Sequence, residues 1–437
     1  MKQIKRILLR WLVVCCFMSG FNFYPAKSIE AALNPPQISG QSVVMIDRVN
    51  GQILYQKDRK QSVEAGSISK LLAVYVAYKA FRGHEAWNEN TYIDISDRAY
   101  ELSQDYDISN VPLRQDMNYT IDELVESIAV GLANGSTLAL AEFIAGDEAS
   151  YVKLMEQQLD DWGIQDYELF NCTGLPRDGE SGPTNRLSAE AAATIAYHLV
   201  QDFPRFTEYS KQAKSYFKPK SSDRIEMLNY NYLIPGRPEG YEGVKGLMPG
   251  FSEQDGTSLV TLSECDEFEV IIAVLGTEDT ARYQDTVRLI EYANSAYRSE
   301  RVIEAGQMVT QIGKVDIEGG DKADAPLQYA ADLEIVMPIV DTLPRIKYQF
   351  NPDSNYFNES GSLTAPIEQG TEVGQMHICA DGLTTEFIPS GASNNVSVAL
   401  QETISEGGVI SQFLNRLGRT ISDINESIRH FFVNLFN

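Results

Sequence analysis

The run Leu71-Leu72-Ala73-Val74-Tyr75-Val76-Ala77-Tyr78 is apolar on nearly every side, which predicts a helix buried all round rather than one lying on a surface. It is preceded by Glu64-Ala65-Gly66-Ser67-Ile68-Ser69-Lys70. Ser67 falls at or just inside the helix start and Lys70 one turn further on, so hydroxyl and ammonium share a face and can meet. Burying an ammonium is costly unless it has a partner or a task. Desolvation lowers a lysine's pKa, which fits Lys70 to take the proton of Ser67 and lets that oxygen attack a carbonyl. The unpaired amides of the helix start, with Ser67's own N–H, face where an oxyanion would form. The same spacing also fits an N-cap serine beside a lysine that lays its stem along apolar surface. The rest of the chain has to separate the two.

With 437 residues, 43% hydrophobic and 22% charged, the chain reads as an ordinary globular protein of two or three domains. Its formal net charge of −25 repels phosphate backbones, so no nucleic-acid partner is expected. Residues 1–28 read as a secretory signal: Lys2, Lys5, Arg6 and Arg10 precede the apolar Trp11–Met18, and Ala26-Lys27-Ser28 offers small residues for a cut. An uncleaved N-terminal anchor is the alternative; either way the body of the protein is exported. Cys172, Cys265 and Cys379 remain after the signal and imply no disulfide framework, although one pair has the means to form. His84, His198, His377 and His430 show no ligand spacing, so neither a metal nor another cofactor is expected.

Ser42 to Lys57 reads as a hairpin about Asn50-Gly51. After the Ser67 helix, residues 82–118 are polar, with short elements at most. Thr120 and Glu123 form a capping box that opens a helix. Gly131 to Gly135 interrupts it, and Ser136 to Ala145 is a second buried helix. Amphipathic helices fit 149–161 and 187–201. Past residue 240 the period changes. Gly256–Ser263 and Glu267–Leu275 read as adjacent antiparallel strands, followed by a helix from Asp279 to Tyr297. Residues 300–400 alternate as short strands broken by Gly, Pro and Asp, which predicts a small all-β module. From 409 to 437 an apolar stripe runs from Ile410 to Phe436 opposite Arg416, Arg419 and Arg429, as expected of a helix lying in a membrane surface. Docking on the β module, or on a second copy, is the alternative.

This order is similar to that of the low-molecular-weight penicillin-binding proteins, the serine D-Ala-D-Ala carboxypeptidases. Their opening strand–Gly turn–strand resembles Met45–Tyr55, their Ala-Ser-x-x-Lys helix resembles Gly66-Ser67-Ile68-Ser69-Lys70, and their Asn-x-x-Gly-Leu segment resembles Asn171-Cys172-Thr173-Gly174-Leu175. The resemblance implies an α+β fold, with a helical cluster on a five-stranded antiparallel sheet over residues 29–299. A β-rich domain over 300–403 and a C-terminal amphipathic helix over 404–437 would follow. It implies Ser67 as nucleophile, Lys70 as base, Asn134 as a partner of substrate or of Lys70, and the N–H groups of Ser67 and Phe251, beside Gly250, as the oxyanion hole. Peptidoglycan stem peptides or β-lactams would be the ligands, met at the outer face of the cytoplasmic membrane.

Two family motifs are altered. The Ser-x-Asn serine is replaced by Leu132, and Lys-Thr-Gly by Met248-Pro249-Gly250. In the family that hydroxyl and that ammonium face each other across the cleft, relay a proton to the leaving amine and hold the terminal carboxylate. Lys245, three residues before Met248, points to the other face of an unbroken strand, and Ser136 falls in the next helix. Two readings follow: a serine peptidase of impaired activity, or a non-catalytic descendant that binds wall peptide or serves as a scaffold. A β-lactamase fits less well with the β module and the terminal helix.

Overall fold

A computed structural model describes residues 34–408, apart from 89–90, 178–181, 219, 222–223, 341–344 and 381–385. The expected signal (1–28) and the amphipathic stripe (409–437) lie outside the described residues. The first unit is built on a five-stranded sheet of β1 (Ser42–Asp47), β2 (Ile53–Lys57), β3 (Met248–Ser252), β4 (Gly256–Glu264) and β5 (Glu269–Thr277). The spatial order is β3-β4-β5-β1-β2 and every pairing is antiparallel. The hairpin turns at Asn50-Gly51, where Asn50 N–H donates to Asp47 Oδ2 (3.1 Å) and Gly51 takes φ +76°, a left-handed value that glycine adopts without penalty.

These strands are apolar throughout because both faces of the sheet are covered. Side chains alternate across a strand, so Val44, Ile46, Val260, Ile271 and Ala273 enter the core under the helical layer. Val43, Met45, Leu259, Ile272 and Val274 enter a second core beneath the long helix Ala281–Ala296.

The helical layer holds α1 (Ser69–Gly83), α2 (Asp97–Ser103), α3 (Ile121–Gly131), α4 (Asn134–Ala145), α5 (Glu148–Asp161) and α6 (Ala189–Asp202). In α1 every residue from Leu71 to Tyr78 is buried, with α4, α5 and α6 packed about it, as its unbroken apolar run requires. The capping box forms: Glu123 N–H donates to Thr120 Oγ1 (3.4 Å) and Thr120 N–H to Glu123 Oε2 (3.0 Å). The break between α3 and α4 is shorter than the glycines suggested. Gly131 and Gly135 both remain helical, and only Leu132-Ala133 lies between. Gly135 serves close approach instead, since a Cβ there would lie 2.5 Å from that of Ser103 on α2.

A short helix, Arg205–Ser210, completes the helical layer, and from Tyr297 on the described chain is all β. Tyr297–Ile303 pairs antiparallel with Leu333–Pro338, and a six-stranded sheet encloses a core that includes Ile317, Leu327, Val373, Met376 and Val398. This module clasps the first hairpin. Ile388 N–H donates to Gly51 O (3.0 Å), Ile53 N–H to Glu386 O (2.8 Å) and Asn50 Nδ2 to Asn394 Oδ1 (2.8 Å). Among the described residues Cys172, Cys265 and Cys379 are free thiols, no cluster of potential metal ligands occurs, and no helix is long and apolar enough to cross a membrane.

Candidate active site

Ser67 sits in a single 3-10 turn, Gly66–Ile68, that feeds directly into α1. Three glycines let three chain segments meet there, main chain against main chain. A Cβ on Gly66 (φ +51°) would lie 2.2 Å from Phe251 O, one on Gly250 2.4 Å from Ala65 O, and one on Gly174 (φ +74°) 1.9 Å from Gly66 O. Any side chain at these positions would push the segments apart. Strand β3 and the Asn171–Leu175 loop are thus held against the serine turn.

Lys70 is fully buried, and its Nζ lies 3.0 Å from Ser67 Oγ and 2.7 Å from Thr173 O. Burial pulls its pKa down to about 7, with the nearby Cys172 thiol acting weakly the other way. The amine is therefore part neutral at ordinary pH, within reach of the serine's proton. Thr173 O is aimed by two asparagines. Asn171 Oδ1 accepts the N–H of Thr173 (3.1 Å) and of Gly174 (2.7 Å). Asn185 in turn accepts Phe170 N–H (2.7 Å) and donates to Asn171 O (2.8 Å), while its own carbonyl accepts Ala65 N–H (2.8 Å). Sequence reasoning passed over Asn185, which stands in no motif.

A cleft of about 1150 Å³ opens over the serine, and Ser67, Leu132, Asn134, Pro249, Gly250 and Phe251 all line it. Phe251 is 62% exposed at the rim. Leu132 stands on the wall in the left-handed region (φ 51°, ψ 33°), costly for a branched side chain by about 1 kcal/mol. Met248 does not face it across the cleft. It is fully buried in the helical core with Ile68 and Leu132, on the strand face it shares with Gly250. The expected pair of apolar replacements is therefore one wall residue and one core residue. The cleft itself is far from greasy: Glu64, Asp105, Asp107, Glu253 and Arg282 also line it.

Asn134 is not a partner of Lys70. Its N–H and its Nδ2 both donate to Ser109 O (3.2 and 3.0 Å), and its buried Oδ1 has no hydrogen bond. Neither nearby candidate replaces the lost groups. Lys245 Nζ is held by Glu269 (2.8 Å) and Glu264, and Ser136 Oγ lies buried against Ser127 Oγ (2.7 Å). Arg282 is the cation that the sequence did not reveal. It follows Gly250 by 32 residues, donates through Nη1 to Gly250 O (2.9 Å) and through Nη2 to Tyr283 Oη (2.9 Å), and lines the cleft.

A helical layer on an antiparallel sheet, with a serine and a half-neutral buried lysine one turn apart beneath a cleft, defines an active-site-serine protein of the acyl-transfer class. The chain belongs to the D-alanyl-D-alanine carboxypeptidase family, whose pattern it matches over residues 29–279. It is 22% identical over 386 residues to a D-alanyl-D-alanine carboxypeptidase of Bacillus subtilis, covering 88% of this chain and 89% of that one. The Escherichia coli relative of the same description is 24% identical over 432 residues, 98% of each chain. Among solved structures, a peptidoglycan synthesis regulatory factor (PBP3) from Streptococcus pneumoniae superposes with a TM-score of 0.72 at 27% identity, covering 85% of this chain and all of that one. Penicillin binding protein 5 from Haemophilus influenzae shares the fold with a TM-score of 0.66.

Proposed function

We propose that the protein forms an acyl-enzyme at Ser67 with peptidoglycan stem peptides ending in D-Ala-D-Ala, and that its turnover is slow. The observation that carries this reading is the 3.0 Å approach of Ser67 Oγ to a buried lysine titrating near 7. Neutral Lys70 takes the hydroxyl proton as Oγ adds to the carbonyl of the penultimate residue. The N–H groups of Ser67 and Phe251 receive the oxyanion, the terminal D-alanine leaves with a proton, and water then cleaves the ester. The slowness follows from Leu132, which supplies no hydroxyl for the leaving amine, and from Met248, which supplies no ammonium for the terminal carboxylate. One charge-assisted hydrogen bond is worth roughly 1.5–3 kcal/mol, or about one to two powers of ten in rate. Among the described residues that line the cleft, Arg282 is the cation to meet that carboxylate, in exchange for or beside its bonds to Gly250 O and Tyr283 Oη.

Labelled penicillin tests this directly. Slow covalent labelling, absent in Ser67→Ala, is the expected result; no labelling at any time would leave the second reading, a peptide-binding protein without chemistry, which Leu132 on the cleft wall favours. The protein acts outside the cytoplasmic membrane, held to its outer face by 409–437. Pelleting with membranes that survives deletion of those residues, after cleavage of the signal, would refute the anchor.

A further inference from the structure

The buried amine of Lys70 has a titratable neighbour that acylation does not use. Cys172 is fully buried in the loop that presents Thr173 O, and its charge state is felt at Lys70. Its thiol donates to Glu148 Oε1 (3.3 Å), and its N–H donates to the same oxygen (3.2 Å). Glu148 opens α5, and its other oxygen is held by Arg98 of α2, which also reaches Glu142 of α4 (3.6 Å). Tyr151, one turn further along α5, gives its hydrogen to Ala73 O (2.6 Å), and burial keeps it a neutral phenol. Lys70, Glu148, Arg98 and Tyr151 are thus the titratable and charged groups that act on the sulfur or feel it.

Two placements of one proton compete here. In the first the thiol is intact and the amine neutral: Nζ gives a hydrogen to Thr173 O and turns its lone pair to the Ser67 hydroxyl. In the second the proton has moved from Cys172 Sγ to Lys70 Nζ, a thiolate faces an ammonium, and the lone pair is gone. Water favours the second, since a free thiol ionises at about 8.5 and an alkylammonium at about 10.4. Burial favours the first, in which neither group is charged. The Glu148 carboxylate weighs on the same side, because it repels a thiolate and accepts a hydrogen only from the protonated sulfur. Burial, and after it Glu148, push the Cys172 thiol well above its ordinary value.

We propose that Glu148 is a positioning residue for the chemistry at Ser67: by holding the hydrogen of the Cys172 thiol it keeps that proton off Lys70, so the amine stays free to take the one from the serine. The proposal rests on the reading of Lys70 as the base and names the residue that keeps it one. Glu148 itself touches neither Ser67 nor a ligand; it acts through the sulfur.

Two measurements on the full chain test it. The first is the ultraviolet absorbance of thiolate, taken as the difference between a protein and the same protein carrying Cys172→Ala. For the wild type, no thiolate at position 172 is expected up to about pH 9. For Glu148→Gln, about one thiolate is expected at neutral pH. The second is the rate of labelling by penicillin. It should fall about tenfold or more in Glu148→Gln at about pH 7, because an amine that has taken up a proton no longer serves as base. Adding Cys172→Ala to Glu148→Gln should restore most of that loss, since no proton donor then remains beside the amine. A residue that only shaped the loop would leave the double variant as slow as the single one. A folded Glu148→Gln without thiolate, or a double variant no faster, would overturn the proposal. The wild-type difference needs no change at position 148: a thiol there that ionises at its ordinary value of about 8.5 overturns the proposal even if Glu148→Gln does not fold. A wild type that never labels sinks the acylation reading and the proposal with it, whereas a labelling wild type with its thiolate already formed sinks the proposal alone.

Discussion

Replacing Lys70 with methionine separates what the buried amine does for chemistry from what it costs the fold. Methionine is unbranched and of similar length, so it fills the space without a charge. In the folded chain Lys70 gives up its proton near pH 7, against 10.5 for a free side chain, because burial disfavours the ammonium. Between those values the unfolded chain binds one more proton than the folded one, so raising the pH favours folding. The penalty is complete below about 7 and gone above about 10.5. At about 1.4 kcal/mol per pH unit it amounts to roughly 5 kcal/mol. From pH 7.5 to 9.5 the wild type should therefore gain about 2.5 kcal/mol relative to Lys70→Met. The substitution also leaves Thr173 O without its 2.7 Å donor. That cost of about 1–3 kcal/mol does not vary with pH, so the reasoning is tested by the slope and not by the offset. Urea unfolding of both proteins at several pH values measures it, read by the fluorescence of Trp87 and Trp162 in the helical layer. Parallel stability curves would show that the amine is charged in the folded state, and would remove Lys70 as base.

Gly174→Ala places a methyl group 1.9 Å from Gly66 O at φ +74°. It should cost more than about 2 kcal/mol and abolish penicillin labelling, and normal labelling would show that the three-segment junction does not hold the serine. Thr120→Ala removes the N-cap of α3 and one half of its capping box. Urea unfolding should show a loss of about 1 kcal/mol, with labelling at Ser67 retained; an unchanged midpoint would refute the cap's contribution.

What could be read from the chain beforehand was local. Ser67 and Lys70 are three residues apart, as are Thr120 and Glu123, and such pairs meet through helix geometry alone. The hairpin at Asn50-Gly51 and the alternating strands were legible for the same reason. What escaped depends on distant segments meeting. Asn185 reaches Asn171 across 14 residues and Arg282 reaches Gly250 across 32, and no periodicity marks either. Glu64 carried no signal of its own in the sequence, and it is the ladder with Arg186 and the cleft that enclose it. Met248 stood at the position of a cleft lysine, yet its side chain is satisfied in the core, because the strand face it occupies is covered by the helical layer.

The junction of Gly66, Gly174 and Gly250 has a bearing on how such a protein can drift. Where the reacting serine stands is set by peptide groups pressed together, with nothing borrowed from residues on the far bank. A lineage can therefore exchange a hydroxyl for hydrocarbon on the cleft wall, and trade an ammonium for a thioether, while the serine stays seated. The position of the serine is thus a property of the main chain, whereas moving protons and anchoring a ligand are left to individual side chains.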